Sequence, residues 1–244
     1  MMNFSNTIKL FIFCIAFLEI GLPVEAGNFV PLEGIKKNAF ILPHVFRTME
    51  TKTSVSISYV RLPEDWVETT VDAPLIQLSN KIGFPGGFTL ESSFQSIYIA
   101  NQFRFGPRWN VEIGKFSAAA GIDAGLLFGR MDISGFNNRA SGWMMYPVVS
   151  IGYRTDELAF TLSAERSTIQ SLTLSSGSAE TSDFKNFKSG QTISIYMEQR
   201  LWRNHVMILG LVNNFQKFYF PAWPAFSAFN KRYYIPQMYL GLVL

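Results

Sequence analysis

The chain has 244 residues, a formal net charge of +3, 16% charged residues and 15% aromatic residues. So small a charge argues against nucleic-acid binding, and the charged fraction lies below the roughly 25% typical of soluble domains. The single cysteine, Cys14, lies in the N-terminal apolar run, so disulfides and thiolate metal sites are excluded from the remainder.

Residues 1–26 are predicted to be a cleaved secretory signal. Lys9 supplies a basic start, "LFIFCIAFL" an apolar core, and "VEA" a small-residue cleavage site before Gly27. The apolar run is about half of the roughly 20 residues that a membrane-spanning helix needs, and no later stretch is long enough. Residues 27–52 follow as an N-terminal segment, either a possible first strand or a periplasmic extension.

Residues 53–244 carry the period-two alternation of half-buried strands. It is clearest in "SVSISYV" (54–60), "LAFTLSAE" (158–165) and "TISIYMEQRL" (192–201). Further candidate strands are 74–84, 88–105, 108–130, 142–154, 205–215 and 233–244. Turn chemistry is predicted at "FPGG", "FGPR", "TDE" and "WRNH", and longer connections at 62–73, 131–141, 167–190 and 217–231.

The strand count depends on residues 108–130, which form either a hairpin or one long strand. In the second case "AFILPHVFR" (39–47) must supply another strand, so both interpretations total ten, and eight remains possible. From residue 142 onward the connections alternate between short and long. This asymmetry is typical of transmembrane barrels, which have short periplasmic turns and longer external loops.

The closing strand "YYIPQMYLGLVL" has Leu244, Leu242, Leu240 and Met238 on one apolar face. Together with "VEA" and the glycine-punctuated "AAAGIDAGLLFG" (118–129), it resembles the small outer-membrane β-barrel proteins of Gram-negative bacteria, although Leu244 lacks their usual terminal aromatic ring. The resemblance implies an all-β fold, a closed antiparallel up-and-down transmembrane β-barrel of about ten strands, in the bacterial outer membrane. It also implies contact with outer-membrane lipid, lipopolysaccharide and the barrel assembly machinery. In lipid a sheet must close on itself to satisfy its backbone.

Aromatic residues near predicted strand ends are expected to form girdles at the membrane interfaces. They are Trp109, Trp143, Tyr146, Tyr153, Trp202, Tyr219, Trp223, Tyr233 and Tyr234. The alternative is the ordinary aromatic core of a soluble barrel.

Seven charged residues fall on predicted lumen-facing positions: Arg104, Glu112, Asp123, Arg154, Glu165, Glu198 and Arg200. In a narrow lumen opposite charges are expected to pair, because an isolated charge away from water is costly. The set is therefore either a structural network that fills the lumen or the lining of a narrow ion or solute path.

Two connections are candidates for specific function. The Ser- and Thr-rich segment 167–190 is predicted to be a mobile, solvated external loop. The aromatic segment 215–234 carries Phe218, Tyr219, Phe220, Trp223, Phe226 and Phe229. It could cap the lumen as a lid, lie on the outer leaflet or present a docking surface.

The leading function is a porin-like, non-enzymatic membrane barrel with a structural, adhesive or narrow-transport role carried by its external loops. One alternative is a lipid-modifying enzyme resembling lipid A deacylases, in which His44 or His205 would act. Another is a soluble lipocalin-like binder of apolar ligands. No motif predicts a cofactor or metal, and the oligomeric state is not determined by the sequence.

Overall fold

The computed structural model describes residues 34–62, 72–133, 136–176, 179–201, 205–225 and 231–244. The predicted signal (1–26), Trp202, Phe226 and Phe229 lie outside the described residues. No helix in these ranges is long and apolar enough to cross a membrane.

Ten antiparallel strands form a closed barrel in which each strand pairs with its chain neighbours and the last pairs with the first. They are β1 (Thr51–Arg61), β2 (Asp72–Gly83), β3 (Phe88–Ser96), β4 (Ala100–Ile113), β5 (Phe116–Ile133), β6 (Phe136–Arg154), β7 (Leu158–Ser176), β8 (Ala179–Arg200), β9 (Val206–Gln216) and β10 (Tyr233–Val243). The predicted all-β, up-and-down barrel of ten strands is confirmed.

Closure between β1 and β10 leaves the sheet without a free edge. The register runs from Ser54 opposite Val243 to Val60 opposite Gln237, and the backbone N–H of Leu244 donates to the carbonyl of Thr53 at 3.0 Å. We call the end where β1 begins and β10 ends the lower end, and the opposite end the upper end. The closing strand is therefore paired on both sides, by β1 and by β9.

The alternation separates an apolar outer wall from a polar lumen. In β1, Val55, Ile57 and Tyr59 face outward and are 42%, 49% and 50% exposed, whereas the intervening serines are buried. The predicted outward face of β10 is also exposed, including Met238 and Leu240. A soluble barrel would carry a polar outer wall, so the lipocalin-like alternative is not supported.

Part of the aromatic set faces outward, as the predicted girdles require. Trp109, Trp143, Tyr153 and Tyr234 are exposed on the outer wall. Four others are buried inside the barrel, where the parity of their strand or the path of their loop directs them inward: Tyr146, Tyr219, Trp223 and Tyr233.

The predicted solvated loop at 167–190 is wrong, because β7 and β8 continue through most of it. The pairing of β7 with β8 shifts at Ser167/Thr168 and again at Leu174/Ser175. Each bulge changes which side chains face inward, so a strict alternation is lost although the strands continue. Ile169 and Leu172 are buried inside the resulting hairpin.

The predicted turn at "FGPR" is also wrong. The chain reverses between β3 and β4, after Ser96, while Gly106 and Pro107 lie within β4. The ladder between β4 and β5 is interrupted between Phe105 and Arg108, which accommodates the missing proline N–H. Residues 108–130 form a hairpin that turns at Gly114, whose φ is 62°, and residues 39–47 lie outside any strand.

Candidate functional site

The lower end of the barrel is filled by residues 34–47, which we call the plug. It opens with a short 3-10 helix, Gly34–Lys37, and the N–H of Ile35 donates to the carbonyl of Asp156 in the turn between β6 and β7 at 2.9 Å. Ile35, Phe40 and Leu42 are buried in an apolar cluster with residues of β9 and β10. The plug is therefore part of the barrel's lower core.

One carboxylate of β8 holds the middle of the plug. Glu198 is fully buried and accepts three backbone N–H groups, from Phe40 at 2.6 Å, Ile41 at 3.0 Å and Leu42 at 2.7 Å. Hydrogen bonds to an ionised acceptor are stronger than neutral ones, and here they replace the hydration that the carboxylate loses on burial. Glu198 thus ties a segment near the start of the described chain to a late strand.

His44 and Lys52 hold the end of the plug. The Nδ1 of His44 lies 2.9 Å from the carbonyl of Leu42, and its Nε2 lies 3.1 Å from the Nζ of Lys52, which also donates to the carbonyl of Ala39 at 3.0 Å. The ring therefore donates through Nδ1 and accepts through Nε2. Burial and the neighbouring Lys52 cation hold the pKa of His44 well below its ordinary value of 6.5.

These contacts do not support the enzyme alternative. Both ring nitrogens of His44 are engaged in holding the plug, and the Nδ1 of His205 lies 3.2 Å from the carbonyl of Val243 at the barrel's lower end. A base of the deacylase kind would need an activated nucleophile beside it in a position open to substrate. Within the described ranges, no group of three or more His, Cys, Asp or Glu side chains could hold a metal ion.

Residues 217–225, which we call the lid, lie inside the upper end. Phe218, Tyr219, Phe220 and Trp223 are buried against residues of β4, β5, β6 and β7. Of the alternatives for the aromatic segment, this part forms a lid inside the barrel mouth.

A few hydrogen bonds position the lid. The Nε1 of Trp223 donates to the carbonyl of Ile99 at 3.2 Å, and the Oγ of Ser189 donates to the carbonyl of Phe218 at 2.8 Å. Burial raises the pKa of the Tyr219 hydroxyl above its ordinary value. Apolar packing supplies most of the remaining contacts, since four large aromatic side chains are removed from water.

Between the plug and the lid lies a polar chamber of about 240 Å³. Phe40, Ile41 and Pro43 of the plug line its lower side, and Phe218, Tyr219 and Phe220 of the lid line its upper side. Its walls are the lumen-facing side chains of the strands. The chamber is therefore bounded above and below by segments of the same chain.

Six charged residues line one side of the chamber and form a continuous chain of ion pairs, which we call the charge ladder. In order they are Lys81, Glu91, Arg108, Asp123, Arg104 and Glu165. They come from β2, β3, β4, β5 and β7, so the ladder crosses half of the barrel wall. Three cations and three anions alternate, and their formal charges cancel.

Asp123 is the centre of the ladder. Arg108 binds it through two parallel N–H donors at 2.6 Å and 2.8 Å, and Arg104 donates to it at 2.8 Å. Arg104 also pairs with Glu165, and its guanidinium lies 3.9 Å from the ring centroid of Tyr146. This bidentate and stacked geometry is specific to arginine and fixes the side chains in place.

The opposite side of the chamber carries no formal charge among the described residues. It presents hydroxyl and amide groups from β8, β9 and β10: Thr192, Ser194, Tyr196, Asn214, Gln216 and Gln237. The chamber thus has one ionic wall and one uncharged polar wall.

The seven charged residues singled out in the sequence lie in three places. Arg104, Asp123 and Glu165 line the chamber. Glu198 binds the plug, and Glu112 pairs with Lys36 of the plug at 2.7 Å. The other two lie at the lower ends of their strands, where Arg154 donates to the carbonyl of Gly114 at 3.1 Å and Arg200 is exposed.

Lys81, Glu91 and Arg108 complete the ladder but were not singled out in the sequence. Lys81 and Glu91 lie at lumen-facing positions of predicted strands, so the alternation alone could have identified them. The lumen-facing position of Arg108 was not predicted, because the sequence "FGPR" is typical of a turn. Lys36 and Lys52 carried no signal, since their partners depend on how the plug folds back.

No family model matches the chain, and no curated protein matches it. Among solved structures it is similar to the translocator domain of the autotransporter NalP from Neisseria meningitidis, at 9% identity and a TM-score of 0.41, covering 82% of this chain and 89% of that one. It is also similar to Neisserial surface protein A, at 6% identity and a TM-score of 0.39, covering 80% and 96%. It is similar to the KdgM porin at 13% identity and a TM-score of 0.35, covering 77% of this chain and 97% of that one. Likeness at this level carries no inference about activity.

Proposed function

Because the chain is a closed ten-stranded barrel of the outer-membrane kind, we propose that it is an integral protein of a bacterial outer membrane and a narrow, gated passage for small hydrophilic solutes. The observation that carries the proposal is the polar chamber held between the plug and the lid. Passage would require both segments to move.

The outer wall supports the membrane setting. Exposed apolar side chains surround the barrel, including Ile76, Leu126, Ile151 and Leu211. In water such a surface would be an aggregation hazard, whereas against hydrocarbon it costs nothing. The barrel would then be surrounded by outer-membrane lipid and lipopolysaccharide, with its lower end in the periplasm and its terminal strand presented to the barrel assembly machinery.

The chamber supports passage over a purely structural role. In barrels of this girth side chains can fill the interior, and a barrel that only anchors loops has no need of an unfilled polar space. Here about 240 Å³ remains open and is lined mainly by polar groups. A polar space in the middle of a membrane protein offers hydrated solutes an intermediate position between the two sides.

The plug and the lid support gating. Each is a connected segment outside the β-ladder, so each can move without breaking strand pairing. Besides apolar packing, contacts with Glu198, Glu112 and Lys52 hold the plug, and contacts of Trp223, Ser189 and Gln237 hold the lid. Segments outside the strand ladder can open locally at a lower free-energy cost than the paired strands.

The test is solute passage in reconstituted vesicles. Purified protein is first checked for a shift in gel migration between boiled and unboiled samples, which a closed barrel must show. Liposome swelling and planar-bilayer conductance are then measured for the natural chain, for Trp223→Ala and for Trp223→Ala combined with Glu198→Gln. We expect little passage through the natural chain and stepwise increases in the two variants.

Trp143→Ala is the matched control, because it removes a tryptophan that is exposed on the outer wall and not from the lid. It is expected to behave like the natural chain. If the double variant remains folded by gel migration and passes no hydrophilic solute, the barrel is not a passage.

The length of four strands favours a second role, adhesion. β5, β6, β7 and β8 have 18, 19, 19 and 22 residues, whereas a membrane strand needs about 9–11. Since the lower-end turns align, the excess projects from the upper end. Grafting a short turn in place of the β7–β8 projection should abolish binding to host cells or matrix if this role is real, while leaving solute passage unchanged.

A further inference from the structure

We propose that the chamber binds an uncharged, hydroxyl-rich solute of about six carbons, such as a monosaccharide or a linear sugar alcohol. This inference rests on the proposed function and names the solute class that the passage would accept. It follows from the chamber's size, its charge balance and its unused hydrogen-bonding groups.

The volume limits the solute to a small molecule. About 240 Å³ of the chamber is open to water, which is room for a small molecule and not for a polymer. A single sugar ring or a six-carbon polyol replaces that water, whereas a longer oligomer would have to displace the plug or the lid. Phe40 below and Phe220 above set these limits.

The charge ladder selects against net charge on the solute. Lys81, Arg104 and Arg108 are balanced by Glu91, Asp123 and Glu165, and the described residues of the facing wall are uncharged. A charged solute would therefore bring an uncompensated charge into a space whose formal charges already cancel, which is costly away from bulk water.

Unused hydrogen-bonding groups select against apolar solutes. The carboxylates of Glu91 and Glu165 remain 24% and 17% exposed to the chamber, so each keeps acceptor capacity beyond its ion pair. Leaving such groups dry and unpaired is costly.

Hydroxyl groups satisfy both requirements. A hydroxyl donates to a carboxylate and accepts from an arginine or an amide, so several on one solute can bridge the ionic wall and the amide wall. On the facing wall Gln237 supplies an amide group in the same chamber. The hydroxyl groups of a polyol can therefore take over the hydrogen bonds of chamber water without adding charge.

The test uses three solutes of matched size: sorbitol, its cationic amine glucamine and its anionic acid gluconate. Equilibrium dialysis of each labelled solute against the purified full chain in detergent measures binding, and it allows hours for exchange past the lid. We expect sorbitol to bind and both charged analogues to bind at least about tenfold more weakly at low salt.

Two variants change the chamber's charge by one unit. Glu165→Gln leaves a net positive chamber and should improve gluconate relative to sorbitol, whereas Lys81→Gln leaves a net negative chamber and should improve glucamine. Arg166→Gln is the matched control, because Arg166 follows Glu165 in β7 but is exposed on the outer face. It changes the protein's charge without changing the chamber's.

Each outcome decides the inference. Absence of sorbitol binding, equal binding of all three solutes, or the same response to Lys81→Gln and Arg166→Gln would overturn it. Liposome swelling tests the proposed passage separately from solute binding. If sorbitol binds but does not cross the vesicle membrane, the chamber binds polyols and the proposed passage is wrong. If charged and uncharged solutes cross equally well, the proposed solute class is wrong and the passage stands.

Discussion

The plug and the lid close opposite ends of one barrel by different means. The plug packs apolar side chains into the lower core and, unlike the lid, is also held by buried charged groups: Glu198 on three backbone amides and Lys52 beside His44. The lid is held mainly through buried aromatic side chains such as Phe218 and Trp223, with few hydrogen bonds.

This difference predicts which conditions should open each end. Apolar packing is insensitive to pH and little affected by salt, whereas buried charges respond to any change in protonation. The lower end should therefore open in response to acid or to single polar substitutions, and the upper end in response to a loss of side-chain volume. The following predictions separate the two, from the largest expected effect to the smallest.

Trp223→Ala should destabilise lid docking by about 3–5 kcal/mol, because it removes a buried aromatic side chain and leaves a cavity. Trp223 is only 3% exposed. Hydrogen exchange of peptides covering 217–225 measures the change. Peptides from the plug should keep their protection, and equal deprotection of both segments would show that the two ends are coupled.

Glu198→Gln should weaken plug docking by about 1–3 kcal/mol for each amide left without an acceptor. The neutral side chain has one oxygen, and its NH₂ group faces backbone donors. Trypsin should then cut after Lys37 and Arg47, as detected by mass spectrometry. Glu157→Gln, in an exposed turn at the same end, is the control and should leave cleavage unchanged.

Acid should loosen the plug and not the lid. Because the pKa of His44 is lowered when the plug is docked, the undocked state binds more protons. The contribution of His44 to docking stability is therefore constant above about pH 6.5 and falls below it, by at most about 1.4 kcal/mol per pH unit for one proton.

This acid response is measured by hydrogen exchange between pH 7.5 and 5, corrected for intrinsic rates. His44→Gln should remove the pH dependence of the plug peptides, whereas His205→Gln should retain it. A steady protection of the plug across this range in the natural chain would contradict the role given to His44.

Arg154→Gln and Arg200→Gln should change barrel stability by less than about 0.5 kcal/mol, since both lie at the lower rim. Arg200 is exposed and Arg154 bonds to a turn carbonyl. Thermal shifts in gel migration measure this. A large loss would mean that rim charges hold the lower end together with Glu198.

Local patterns were sufficient for several predictions and insufficient for others. The serine and valine alternation of β1 places its two faces correctly, and Arg104 and Asp123 share a wall because both are lumen-facing. The same reasoning failed at 167–190, where bulges shift the alternation, and at Gly106 and Pro107, where a turn-like dipeptide lies in a strand. Bulges and interrupted ladders depend on the neighbouring strand, which local sequence does not specify.

The sequence by itself determined the barrel architecture and the apolar exterior, because strand periodicity is local and a sheet in lipid must pair its last strand with its first. Only the tertiary structure decided between ten strands and eight, placed segments of the chain inside both ends, brought Glu198 to residues 156 to 158 positions away, and made the ladder alternate in sign. Those contacts join residues distant in the chain, so their geometry exists only after the strands have closed.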